Sequence, residues 1–200
     1  MPGSTWDVNT PGVMQLPSGR LIRGRGLRHP ATNGPPPELG VYLQGREPAG
    51  FEWDSRWVRW WDFWLPSDQQ AFAGVLREVL QRCTVERVEI SCSGGLGRTG
   101  IALACLVALD GLPGQYVVDY VRRNYSHRAV ETPWQRRFAT RFDARHLCSE
   151  QNSSLPRRAR SWRPSWAARI RSGVMPRPCA YQYRGRRRGQ ARNFARCPNV

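Results

Sequence analysis

A chain of 200 residues suffices for one ordinary domain with its own core, or one domain and an appendage, and its 40% apolar content is that of a globular chain. The formal net charge of +16 is unevenly placed: residues 1–150 hold 18 Arg against all 15 acidic residues, so +3, and residues 151–200 hold 13 Arg and no acid, so +13. The longest apolar run, IALACLVAL at 101–109, falls far short of the roughly 20 residues that span a bilayer, so no transmembrane segment is expected.

The start, MPGSTWDVNTPG, has neither a basic leader nor an apolar run and does not read as a secretion signal, so a soluble, cytoplasmic protein is expected. Six Cys stand at 83, 92, 105, 148, 179 and 197, with no CxxC pair and no zinc-like spacing. Free thiols are expected, with no metal and no other cofactor.

In chain order, GRLIRGRGL at 19–27 predicts a strand and HPATNGPPPELG a loop. LGVYLQG at 39–45 predicts a second strand. RWVRWWDFWLPSD at 56–68 begins as an aromatic, β-branched strand and breaks at Pro66, where Ser67 or Asp68 caps the amphipathic helix QQAFAGVLREVLQRC. Alternating Trp in a strand usually fills a core, so at least half of Trp53, Trp57, Trp60, Trp61 and Trp64 are expected inside. VERVEIS at 85–91 is the next strand, followed by a glycine turn and an apolar helix from about Arg98 to Leu109 that DGLPG ends. GQYVVDYVRRNY at 114–125 has helical apolar spacing, and TPWQRRFATRF at 132–142 has Pro in a first-turn position. This alternation predicts an α/β fold with a central, mainly parallel sheet flanked by helices. The expected division is an N-terminal extension at 1–18, a domain at 19–150, and an Arg-rich tail at 151–200 that reads as disordered.

The turn ISCSGGLGRTG carries the chemistry. Six Cys and 31 Arg supply about one Cys-x5-Arg pair by chance, so the spacing alone is weak. Its position between a strand and a helix is stronger. Gly94, Gly95 and Gly97 permit backbone angles that point consecutive amides inward, and a nest of this kind at a helix N-terminus binds an anion of phosphate type. Arg98 in the first turn adds a fork for two phosphate oxygens. The same positive surroundings favour a thiolate at Cys92, a nucleophile for phosphorus at the floor of a phosphate cradle. Thr99 is placed to donate its hydroxyl to that sulfur and stabilise it as a leaving group.

SCSGGLGRTG resembles the signature loop of the cysteine-dependent protein tyrosine phosphatase superfamily, in which Cys and Arg flank five loop residues and a Ser or Thr follows. RWWDF at 59–63 resembles that family's acid loop with its Trp, Pro, Asp core, and AVETPWQRRF at 129–138 resembles the downstream segment that completes the pocket. The resemblance covers about residues 19–145 and is closest to small tyrosine or dual-specificity phosphatases of actinobacterial type. The low-molecular-weight class, with its signature near the N-terminus and its acid after it, fits badly. The resemblance implies a phosphatase-like fold and a phosphocysteine intermediate on Cys92. It implies phosphate binding by Ser93, Gly94, Gly95, Leu96, Gly97 and Arg98, and general acid and base work by Asp62. Three positions depart from the family pattern: Ser91 stands for the usual His, Trp61 for Pro, and Glu131 for a water-positioning Gln. Glu131 is therefore read as holding Arg98 by an ion pair, and Gln135 as the group that orients water.

A nucleotide-binding P-loop would need Gly at 92 and Lys at 98 and is rejected. A non-catalytic phosphate-binding relative remains a rival, since anion binding needs only the amides and Arg98. The expected partner is a phosphorylated protein or another phosphomonoester. The tail admits several readings: a solvated extension, a nucleic-acid contact through RGRRRGQARNFAR at 184–196, or a contact with an anionic lipid surface.

Overall fold

The computed structural model describes residues 5–30 and 34–146. The tail at 151–200, with its disorder and its nucleic-acid and anionic-surface readings, lies outside the described residues.

Five strands form one sheet: β1 (Val13–Gln15), β2 (Leu21–Gly26), β3 (Leu39–Gln44), β4 (Asp54–Arg59) and β5 (Val88–Cys92). Their order is β1-β2-β5-β3-β4, antiparallel only between β1 and β2. β5 is central, with β2 and β3 parallel on either side, and all five of its residues are buried, as the two-sided cover of a parallel sheet requires. Four helices follow: α1 (Gln69–Arg82), α2 (Gly97–Leu109), α3 (Gly114–Asn124) and α4 (Pro133–His146). α2 is apolar all round and touches β2, β5 and the other three helices, the place for a helix without a polar face. The expected α/β architecture is the one observed.

Asp68 is the cap of α1, its side chain accepting the Ala71 amide at 2.9 Å. The helix buries Phe72, Ala73, Leu76 and Val79, one stripe at helical spacing.

Two expectations need correction. Residues 6–18 are part of the same core rather than an appended extension: Val13–Gln15 pairs with β2, and the buried Trp6 indole donates to Val88 O at 2.8 Å. Trp6 also lies under the Arg23 guanidinium, 3.8 Å from its ring centroid. It thereby covers a buried ion triad in which Glu89 holds Arg23 and Arg25 across the β2–β5 pair. Removing one member of such a triad would strand a charge in the interior, which ties the N-terminal segment to the central strands. The tryptophans are also distributed differently from expectation. Only Trp60 of the five is in the core, edge-on to Phe72 at 5.1 Å; Trp57 is exposed on the edge strand β4, and Trp61 and Trp64 are exposed on the chain beyond its end at Arg59.

Candidate active site

β5 ends at Cys92 and α2 begins at Gly97, so the five residues between Cys92 and Arg98 span from the end of the central strand into the first turn of the buried helix. Leu96 is the N-cap of α2 and offers no side-chain acceptor, so the first-turn amides face the loop uncapped. Cys92 Sγ accepts the Gly95 amide at 3.1 Å. Gly95 has φ +76, and a Cβ there would lie 2.6 Å from Gly26 N. Only glycine permits that left-handed turn pressed against β2.

Arg98 is 4% exposed. Its Nη1 donates to Trp60 O at 2.9 Å, and its Nη2 donates to Ser93 Oγ at 3.2 Å and lies 3.3 Å from Asp62 Oδ1. Its Nε is buried with no acceptor among the described residues. Nε and Nη2 form the edge of a guanidinium that matches two oxygens of one anion. A buried orphan donor on that edge, beside uncapped amides, is the arrangement of an anion site.

Asp62 is half exposed and reaches this edge because residues 60–67 fold over the signature loop. Trp60 N donates to Gln44 O at 2.9 Å, the Trp60 indole to Trp64 O at 2.7 Å, and Ser67 N to Arg59 O at 3.2 Å. Trp61, in place of the family's proline, lies on Gly45, where a Cβ would come within 2.6 Å of its ring. Glycine at that position gives the indole its seat.

The structure thus brings Cys92, Ser93, Gly95, Arg98 and Asp62 together. Thr99 is buried one residue on, but its Oγ1 has no hydrogen-bond partner among the described residues, and no bond to Cys92 is made. Glu131 differs as well: its carboxylate lies against Gly97, at the positive end of α2, and the carboxylate on Arg98 is that of Asp62. Gln135 is engaged at the start of α4. Its Oε1 accepts the Glu131 and Thr132 backbone amides at 3.1 and 3.2 Å while its own backbone N–H donates to Thr132 Oγ1 at 3.3 Å. TPWQ is a capping box with Pro at the first helical position, a signal present in the sequence. Arg122 clamps the same segment, donating to the carbonyls of Ala129 and Val130 at 3.0 Å each, with Val130 at φ +61. Ser91, in place of the family's His, is buried, and its Oγ is 3.5 Å from Val41 O.

A model of the protein-tyrosine phosphatase family matches residues 44–139, from the end of β3 through the acid loop and signature loop into α4. That segment of the chain is therefore similar to the protein-tyrosine phosphatase family. Among solved structures of similar fold are Tk-PTP in its active form and kinase associated phosphatase. The first has TM-score 0.54 at 21% identity, over 68% of this chain and 99% of that one. The second has TM-score 0.54 at 14% identity, over 70% and 98%. Two uncharacterized proteins of Methanocaldococcus jannaschii are each 40% identical, over 57 and 60 residues, or 28% and 30% of this chain. The matched segments span 35% and 40% of those relatives' lengths.

One residue of this candidate site left no signal in the sequence. Tyr125 follows α3, and its hydroxyl donates to Gly95 O at 2.6 Å, with burial holding its proton well above the ordinary phenol range. Its ring fills the space of a Gly24 side chain, since a Cβ there would meet it at 2.6 Å. Tyr125 thus holds the peptide whose neighbouring N–H points at Cys92 Sγ. Tyr125→Phe keeps the ring and removes this one bond, worth about 1 kcal/mol net. Steady-state kinetics on an aryl phosphate should show kcat lowered about fivefold with KM little changed.

Proposed function

We propose that the protein hydrolyses phosphoric monoesters through a phosphocysteine intermediate, as a protein tyrosine or dual-specificity phosphatase. The observation that carries this is the buried, unpartnered Nε of Arg98 at the mouth of the loop that holds Cys92. In the first step Cys92 Sγ attacks phosphorus, the S–P bond forms, and the bond to the leaving oxygen breaks. Asp62, 3.3 Å from Arg98 on the solvent side, gives its proton to that oxygen. In the second step a water oxygen attacks phosphorus, Asp62 takes the water's proton, and the S–P bond breaks to release inorganic phosphate. The amides of residues 93–98 and the Nε–Nη2 edge hold the nonbridging oxygens in both steps. Thr99 Oγ1, a buried hydroxyl without a partner among the described residues, is free to turn toward the sulfur as it leaves.

The rival, a relative that binds phosphate without turnover, is separated from this reading by assay of the purified protein on an aryl phosphate. Arg98→Lys gives a second test. A point charge cannot span two oxygens, so kcat/KM should fall about 10²- to 10³-fold, the scale for losing one preorganised donor to developing charge, and phosphate inhibition should weaken. Equal kinetics would remove Arg98 from the site.

A further inference from the structure

Exposed apolar surface gathers around the acid loop. Trp61, Phe63, Trp64 and Trp134 are among the exposed large apolar side chains, with Trp64 at 72%, and Trp134 is tied to the loop by its indole bond to Phe63 O at 2.8 Å. Beside them runs a groove of about 220 Å³, lined by Leu65 after the loop and by Trp134, Arg137, Phe138, Arg141 and Phe142 of α4. Arg137 and Arg141 stand four residues apart on one helix face. Neither has a carboxylate partner among the described residues, and no acid lines the groove.

We propose that this groove and its aromatic rim dock an acidic segment of a phosphoprotein substrate, one large apolar side chain of that segment entering the groove. The proposal rests on the phosphatase reading and names the substrate class of that same site. Carboxylates of the segment pair with the two guanidinium forks, and its apolar side chain lies on Phe138 and Phe142. Exposed apolar side chains gathered beside a groove mark contacts with macromolecules. The concave floor suits a protruding side chain better than the face of a bilayer. Residues 151–200, with 13 Arg and no acid, are the wrong sign to sit beside Arg137 and Arg141. A segment so placed rests against Phe63, the residue after Asp62, held at φ 60.

The test uses the full chain and two labelled, unphosphorylated peptides, one carrying Glu-Glu-Phe-Glu and one with Ser at those positions, compared by fluorescence anisotropy. Phosphotyrosyl versions and an aryl phosphate are assayed alongside. The acidic peptide should bind about tenfold more tightly at low salt, with the advantage shrinking as ionic strength passes about 0.1 M. Its phosphotyrosyl form should show the same preference in kcat/KM. Combining Arg137→Gln with Arg141→Gln should erase the preference and leave aryl phosphate hydrolysis unchanged. Equal binding of the two peptides, or a preference that survives in the double variant, overturns the proposal. So does binding to phosphatidylserine vesicles, or self-association, that the double variant loses in place of peptide binding. Absence of aryl phosphate hydrolysis would instead sink the phosphatase reading, while the anisotropy result still decides whether the groove takes the acidic segment.

Discussion

Cys92→Ser should lose aryl phosphate hydrolysis by about 10⁴-fold or more, the scale on which removal of a covalent nucleophile acts. A serine hydroxyl is a far weaker nucleophile than a thiolate, yet the donors around it stay in place. The Gly95 amide, the uncapped first turn of α2 and the Arg98 fork do not depend on sulfur, so phosphate should still bind to the variant. Cys105→Ala is the control. Cys105 lies wholly inside α2, and burial pushes its thiol well above the ordinary range, which leaves it neutral and out of reach of substrate. Its variant should turn over at the wild-type rate. If Cys105→Ala loses the activity and Cys92→Ser keeps it, the nucleophile has been misassigned.

Asp62→Asn should slow hydrolysis of phosphotyrosine or an alkyl phosphate by about 10²- to 10⁴-fold, the usual range for a positioned acid, and slow an activated aryl phosphate much less. The difference arises because a poor leaving oxygen needs the proton and one already stable as an anion does not. The variant should remain folded, because Asp62 is half exposed and its one ion pair is with a guanidinium that has two other partners. Asp68 is the competing carboxylate, and the structure gives it another task, accepting the Ala71 amide at the start of α1. Asp68→Asn should keep both the cap and the rate. Leaving-group dependence in Asp68→Asn and its absence in Asp62→Asn would move the acid to Asp68.

The parts of this molecule that were legible in its sequence are those written in local pattern. Alternation marked β2 and β3, helical spacing marked α1 and α3, and the buried β5, glycine turn and apolar α2 stood out because one run of residues carries all three. β1 escaped notice because three residues cannot show alternation, and its place depends on pairing with β2. Trp60 and Trp61 look alike in RWWDF, yet one fills the core and the other rests on Gly45, a difference set by where β4 ends.

The site divides in the same way. Cys92, Arg98 and Asp62 were found from motif chemistry, but the 3.3 Å approach of Asp62 to Arg98 joins residues 36 positions apart and is visible only in the fold. Tyr125, 30 residues beyond the carbonyl it holds, left no local signal at all. Gln135 was legible, and its contacts in the fold are those of the capping box in TPWQ. Glu131 was assigned to Arg98 by charge, but its carboxylate lies beside Gly97 and the carboxylate on Arg98 is that of Asp62.

The central claim is a covalent phosphoryl group on one sulfur. Rapid acid quench of the full chain during turnover of a phosphotyrosyl peptide, followed by proteolysis and mass spectrometry, reads it directly. The account predicts one added phosphoryl group on the peptide that contains Cys92, present in Asp62→Asn as well and absent in Cys92→Ser. Turnover with no adduct at Cys92, or an adduct on another residue, would contradict it.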